Sequence, residues 1–568
     1  MARPEKVRLG EILVQQKLLS EEQLAAALEE QKRTGRKLGR VVIENGFVKE
    51  EEISEALARQ LQIPFINLKY YNIDLNLARI LPETQARRFR AIVLEERETT
   101  LLVGLADPTD LFAYDEVCRI LKRDVETAVV VESALMQTID RLYRRTEEMT
   151  GLAQELEEEL GDVVDFGQLS GAQNIEEAPV VKLLQSMFED AMQVRASDIH
   201  IEPQELRLHI RFRIDGVLHL QTESDIKIAQ ALVLRLKLMS GLDISEKRLP
   251  QDGRFNIRVK QLPVDVRIST MPTQFGESVV MRLLSQSGGA LGLERLGMPD
   301  DILARFRAII NRPNGMVLVT GPTGSGKTTT LYAGLSELNH TESKIITVED
   351  PVEYRLPGIN QVQVNEKIEL SFSRVLRSAL RQDPDIILVG EMRDHETAQI
   401  GLRAAMTGHL VLSTLHTNDA ISTPMRLLDM GIPRYMVATS LQAVLAQRLI
   451  RLICESCAVP HKPFPHELAW LKMAPDDPAL ERFRFQRGAG CSHCNGTGYQ
   501  GRSGVYELLE MTLPLIEAAN HGDPNMFMHE ARRQIGKRTL RNHAAALAGK
   551  GKTTLSEVMR ICNQNSDD

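Results

Sequence analysis

The chain has 568 residues, 43% hydrophobic and 26% charged, with a formal net charge of −8 and 4% aromatics. This acidic balance and the scarcity of stacking side chains argue against a nucleic-acid partner, because phosphate backbones reward basic, aromatic-bearing surfaces. Six cysteines in so long a chain do not make a disulfide scaffold. The opening MARPEKVRLGEILVQQ lacks a signal-peptide core and no run approaches about 18 apolar residues, so a cytoplasmic chain is expected that meets a membrane only through partners.

A duplicated segment comes first. Arg8-Leu9-Gly10, Leu24, Leu28 and Gln31 return in the same order and at the same spacing as Lys37-Leu38-Gly39, Ile53, Leu57 and Gln60. The two copies, 8–31 and 37–60, are equal in length and joined by the short spacer 32–36. Each copy predicts a short helix, a turn near Lys17 or Gly46, and a capped helix from Ser20 or Lys49. Residues 1–68 are thus expected to form a helical repeat, either a pseudo-twofold binding module or a docking hairpin. Residues 69–150 read as a small α/β unit, with Asp107 in the turn of TTLLVGLADP and a closing helix ESALMQTIDRLYRR. Residues 151–179 hold eight acidic residues and no basic one, which predicts a solvated, partly disordered linker. Over residues 180–290 a helix precedes alternating strands, and RLHIRFRID promises one buried and one basic face. Strands and helices alternate through 291–510, the pattern of a parallel doubly wound sheet, and 511–568 reads as helical. The whole is an α/β multidomain chain.

The chemistry concentrates in the third quarter. A buried-strand run, Met316–Thr320, enters Gly321-Pro322-Thr323-Gly324-Ser325-Gly326-Lys327-Thr328 and then a helix beginning at Thr329. In that context the glycines let backbone amides approach phosphates, the helix N-terminus adds its dipole, Lys327 reaches the β- and γ-phosphates of ATP, and Thr328 ligates Mg²⁺. Asp385–Glu391 is a second strand ending in an acid, with Gly390 where an aspartate is usual, so Glu391 is the expected catalytic base. The Ile345–Glu349 strand also ends in acids, with Asp350 and Glu353 following; Glu349 is expected to share in positioning Mg²⁺ and water. His409 and His416 flank the strand LVLSTL and are candidates for sensing the γ-phosphate or relaying between subunits. Two separated CxxC pairs, Cys454 with Cys457 and Cys491 with Cys494, predict a closed, structural Zn²⁺ site.

Together these segments resemble a known set. GPTGSGKT, ITVEDPVEY, DPDIILVGEMRD and MTGHLVLSTLHTN are similar to the Walker A, aspartate-box, Walker B and histidine-box segments of GspE/PilB-type ATPases, which serve type II secretion and type IV pilus assembly. ASDIHIEP (196–203), RFRIDG (211–216), RLPQDGR (248–254) and VDVRIST (264–270) are similar to that family's PAS-like domain. The resemblance implies a PAS-like domain over 180–290 and a RecA-like motor over 291–510, with a tetracysteine insertion at about 450–500 of the extension and secretion branch. It further implies a homohexamer acting on an inner-membrane platform protein. Arg254 and Arg267 would reach the γ-phosphate, with Arg282, Arg377 and Arg381 behind them. The N-terminal repeat resembles the cyclic-di-GMP-binding module of MSHA-pilus extension ATPases. Arg8, Leu9, Gly10, Leu24, Leu28, Gln31, Lys37, Leu38, Gly39, Leu57 and Gln60 then become ligand contacts, with Asp107 at a guanine edge. Lys37 in place of arginine and Lys17 in place of the turn glycine depart from that pattern. The alternative within the family is a type II secretion ATPase whose N-terminal domain docks a membrane-anchored partner.

Overall fold

The computed structural model describes residues 10, 13–14, 18–34, 38–143, 146–160, 179–259, 262–285 and 291–562. Arg8, Leu9, Lys17 and Lys37 lie outside the described residues, as does the 161–178 part of the acidic segment.

The duplication is visible in packing. Leu13 and Val42, Leu19 and Val48, and Ala27 and Ala56 hold equivalent positions in the two copies, and all are buried in one small core. Both longer helices, Glu21–Thr34 and Glu50–Leu61, are capped alike. Gln23 accepts from the Ser20 amide at 3.0 Å, and Glu52 accepts from the Lys49 amide at 2.9 Å. The second copy then docks on the next unit, where Glu50 accepts from the Ser133 amide at 3.1 Å and from its hydroxyl at 2.6 Å.

That unit is a three-stranded sheet of β1 (Ala91–Glu96), β2 (Thr100–Leu105) and β3 (Asp124–Val129), with β1 antiparallel and β3 parallel to β2. The acidic segment that follows is not wholly solvated. Thr146–Leu160 forms a helix whose Met149, Ala153 and Leu156 are buried in the core of the next domain. Their helical spacing puts a narrow apolar stripe on an acidic helix, and composition averages that stripe away.

The next domain is a six-stranded antiparallel sheet: β4 (Asp198–Pro203), β5 (Arg207–Ile214), β6 (Val217–Asp225), β7 (Gln251–Val259), β8 (Leu262–Thr273) and β9 (Gly276–Ser285), in the order β6-β5-β4-β9-β8-β7. Leu208, Ile210 and Phe212 of β5 are buried, leaving His209, Arg211 and Arg213 on the other face.

The motor domain is a seven-stranded sheet. Its strands are β10 (Gly315–Thr320), β11 (Ile345–Glu349), β12 (Asn360–Gln363), β13 (Ile386–Val389), β14 (Leu410–Leu415), β15 (Leu441–Ile453) and β18 (Tyr499–Glu510), ordered β12-β11-β13-β14-β10-β15-β18. All neighbours pair in parallel except β15 with β18. Every residue of β10, β11, β13 and β14 is buried, as a parallel sheet covered on both faces requires. Between β15 and β18 a small module carries β16 (Ala458–Pro460) and β17 (Gln486–Gly488). The C-terminal helices add Phe527, Ala531, Ala544 and Val558 to the same core as the motor sheet.

Candidate functional site

Parallel strands deliver their following loops to one edge of the sheet, and that edge is where such folds bind ligands. Thr320 registers with Leu415, and Val389 with Val348 and Ser413, so the loops after β10, β11, β13 and β14 share the carboxyl edge. The Gly321–Thr328 loop lies there, capping the Lys327–Leu338 helix. Gly321 and Gly326 need their positive φ of 146° and 88°. A Cβ on Gly321 would also stand 2.4 Å from the Gln447 carbonyl. Pro322, Thr323 and Gly324 face solvent at the mouth, and Thr328 and Thr329 are half-buried at the helix start.

Lys327 folds back over the loop, donating to the Gly321 carbonyl at 2.8 Å and the Pro322 carbonyl at 3.1 Å. Burial pushes its ammonium down to about 8; the Glu391 charge pulls it up and Arg448 pushes it further down. An arriving triphosphate would replace those carbonyls and restore the full charge.

Glu391 stands two residues beyond β13. Its side chain is 16% exposed, it pairs with Arg393, and His416 Nε2 approaches its second oxygen at 3.4 Å. Gly390 stands where an aspartate was usual because a Cβ there would lie 3.2 Å from the Val348 carbonyl and 3.3 Å from the Glu349 Cα. A side chain there would press on β11, which glycine avoids.

Two expected site residues do not turn their side chains into the loop. Glu349 turns into the protein and is 3% exposed. Tyr332 donates to one of its oxygens, while Thr347 at 2.5 Å and the Gln361 amide at 3.3 Å donate to the other. A strand buried on both faces sends even its terminal acid inward, and hydrogen bonds then occupy both oxygens. His409 precedes Leu410, which registers with Gly315 and Ile386 at the amino edge. Its ring contacts the Ala404 carbonyl at 3.1 Å. A six-residue strand separates it from the loop, about 20 Å at ~3.3 Å per residue. His416, at the other end of that strand, is at the site.

The neighbouring domain brings its arginines. Arg254 is opposite Arg267, and Arg267 opposite Arg282, so the three line one face across β7, β8 and β9. Opposed like charges are unfavourable in a sheet unless something else holds them. Arg282 pairs with Asp198 at 3.1 Å. Arg267 crosses to the motor domain, meeting Glu353 at 3.0 Å and the Val352 carbonyl at 2.7 Å in the loop after β11. Arg254 is exposed. Arg377 pairs with Glu396, and Arg381 donates to the Arg377 carbonyl at 3.0 Å, both in the segment entering β13 from its amino end.

Sequence reasoning missed the supports of the loop. Thr320 and Thr417 join hydroxyl to hydroxyl at 2.5 Å, tying the strand before the loop to the residue after His416. Gln447 and Arg448 are buried on β15. Two adjacent polar residues inside the otherwise apolar run Ala443–Ile450 are the signal that marks them.

The four cysteines converge as expected. Their sulfurs lie within 4.8 Å of one another, with Cys454–Cys491, Cys457–Cys494 and Cys491–Cys494 each at 3.8 Å. Those edges fit a tetrahedral Zn²⁺, whose Zn–S bond of about 2.3 Å implies edges near 3.8 Å. The Cys494 thiol is pushed down to about 4, by the Cys454 thiol first and also by the amides of Cys491 and Gly498. His493 is buried and its Nε2 meets the Tyr71 carbonyl at 3.1 Å.

In the N-terminal module Gly10 is buried, and a Cβ there would meet Leu24 at 2.6 Å and Leu38 at 3.3 Å, so residues of both copies converge. Leu38, Leu57, Gln31 and Gln60 are half-buried, Leu28 is exposed, and Gly39 lies in the Leu38–Glu44 helix. Asp107 turns back to accept from the Thr109 amide at 3.1 Å.

The glycine loop at the carboxyl edge of this parallel sheet defines a P-loop NTPase of the RecA type. The fold is like that of the ATPase DotB of Legionella pneumophila, with a TM-score of 0.50 and 22% identity over 68% of this chain and 96% of that one. Residues 173–560 match the family described as Type II/IV secretion system protein, and residues 61–149 match the MshEN domain. The type IV pilus assembly ATPase PilB of Myxococcus xanthus is 42% identical over 97% of this chain and 98% of its own length. The type II secretion system protein E of Xanthomonas campestris is 38% identical over 98% of this chain and 99% of its own. The chain belongs to the type II/IV secretion system protein family and is an ATPase of that family, with an MshEN domain ahead of the motor. Among the described residues no helix is long and apolar enough to cross a membrane.

Proposed function

We propose that the chain hydrolyses ATP as a homohexamer to drive assembly of an MSHA-like type IV pilus, working at the cytoplasmic face of the inner membrane on a platform protein. The observation that carries this reading is the meeting of Lys327, Glu391 and His416 at one sheet edge, with Arg267 arriving from the preceding domain. Amides of Gly321–Thr328 hold the phosphates, and Lys327 answers their charge. Glu391 accepts the proton of the attacking water, with His416 fixing its carboxylate. Arg267 leaves Glu353 for the transferred phosphoryl group, and Arg254, its exposed cross-strand neighbour, reaches the same charge. Thr328 would hold Mg²⁺, which would supply charge neutralisation at the phosphates. A cleft of about 1270 Å³ runs from Gly326 and Thr329 behind the loop past Leu449 and Arg502 to Cys494 and Lys69, and its loop end has room for the nucleoside. Lys327→Ala should eliminate turnover; unchanged activity in that variant refutes the assignment.

Cyclic-di-GMP binding to the N-terminal module is the proposed regulation. A twofold-symmetric ligand suits a duplicated site, and the burial pattern of the first copy repeats in the second. The MshEN match supports the reading, although its span holds Asp107 and not the repeats themselves. Calorimetric titration should give heat with the wild-type chain and none with Arg8→Ala. No heat from the wild type at micromolar ligand favours the second reading, a type II secretion ATPase, which rests on the near full-length likeness to the Xanthomonas protein.

A further inference from the structure

We infer that Gln447 is the positioning residue of the phosphate loop, aiming the Gly326 amide at the nucleotide; this rests on the reading that Gly321–Thr328 holds phosphates. Gln447 is 2% exposed and lies one residue past Ala446, the partner of Thr320, so β15 delivers it beside the start of the loop. Its side-chain amide donates to the Ser325 carbonyl at 2.7 Å, and its side-chain carbonyl accepts from the Thr330 hydroxyl at 2.8 Å. The Ser325 carbonyl can only accept, so the NH₂ end of the amide must face it and the orientation is unambiguous. Its main-chain carbonyl sits 2.4 Å from where a Gly321 Cβ would be, and its Nε2 3.1 Å from a Gly326 Cβ. One residue therefore crowds the loop at its first glycine, holds the Ser325–Gly326 peptide and bonds the helix that follows.

The consequence follows from peptide geometry. In a planar trans peptide the C=O and N–H point in opposite directions. Holding the Ser325 carbonyl toward β15 turns the Gly326 N–H away from β15, into the concave side of the loop where phosphate oxygens sit. Without Gln447 that peptide is free to rotate, and its carbonyl could face the anion instead. Ground state and transition state both use this amide, so its loss raises KM and leaves kcat little changed.

The test uses the full chain, with steady-state ATP hydrolysis and binding of a fluorescent ATP analogue. Gln447→Leu should raise KM and the analogue's Kd by about tenfold or more, the equivalent of one lost hydrogen bond of about 1.4 kcal/mol, with kcat within about threefold. Gln447→Glu keeps the shape and the acceptor for Thr330. As a carboxylate it repels the Ser325 carbonyl; as a buried acid, titrating above the usual carboxylate range, it can donate to it. Its KM should be raised at pH 8 and recover toward wild type at pH 6, a recovery the wild type lacks. A folded Gln447→Leu variant with wild-type KM overturns the inference. So does a Gln447→Glu variant with the same KM ratio to wild type at both pH values, which also decides the matter if Gln447→Leu does not fold. A wild-type chain that binds no ATP analogue strikes the phosphate-loop reading itself.

Discussion

Replacing Cys494 by serine tests the metal reading most sharply. The three sulfur edges of 3.8 Å place a central ion about 2.3 Å from each vertex, since a tetrahedral edge is about 1.63 times the bond length. Four thiolates around Zn²⁺ leave excess negative charge, and Cys494 is where the backbone answers it. The amides of Cys491 and Gly498 donate to its sulfur at 3.2 and 3.1 Å. Serine removes the soft thiolate ligand and puts a neutral, shorter-reaching hydroxyl where both amides meet the sulfur. Structural zinc contributes on the order of 10 kcal/mol to the folding of such modules, more than this small two-stranded insertion can replace. Metal analysis of the wild-type chain should find about one zinc per chain, and X-ray absorption about four sulfur neighbours near 2.3 Å. Cys494→Ser should lose most of the metal and become open to proteolysis between Cys454 and Gly498. Full zinc retention in the variant, or a wild-type first shell containing nitrogen or oxygen, refutes the reasoning.

Two other outcomes follow from the site and its scaffold. Glu557 is wholly buried; burial raises its carboxyl, but Arg560 and Arg451 outweigh that and hold it near 2. A depressed carboxylate stabilises above its unfolded value of 4.5 and loses that contribution as pH falls toward 2. Glu557→Gln should therefore cost about 3 kcal/mol at pH 7 and show a shallower acid limb in denaturant titrations between pH 5 and 3; equal curves contradict the ion-pair reading. His416→Ala should lower kcat by about tenfold or more while His409→Ala leaves it within about twofold, and steady-state assays showing the reverse order would reverse their placement on the sheet.

Much of the site was legible because its information is local. The glycine loop, the cysteine pairs and the N-terminal duplication are spacings, and spacing survives without knowledge of the fold. Residues whose role depends on direction were harder. His409 and His416 bracket one strand, and only the parallel register decides which end faces the loop. Glu349 ends β11 at the edge that holds the loop, and only the fold shows its carboxylate turned toward Tyr332, Thr347 and Gln361. The Thr146–Leu160 helix hid its apolar stripe beneath acidic composition. Gln447 acts on a loop far from it in sequence, and no local pattern announces it beyond an amide in an apolar strand.

The central claim is that Glu391 activates the water that attacks a triphosphate held by the Lys327 loop. Single-turnover hydrolysis by Glu391→Gln, with ATP binding measured on the same sample, tests it most directly. Binding within a few-fold of wild type and cleavage slowed by at least about a hundredfold is the predicted result. Cleavage at the wild-type rate contradicts it.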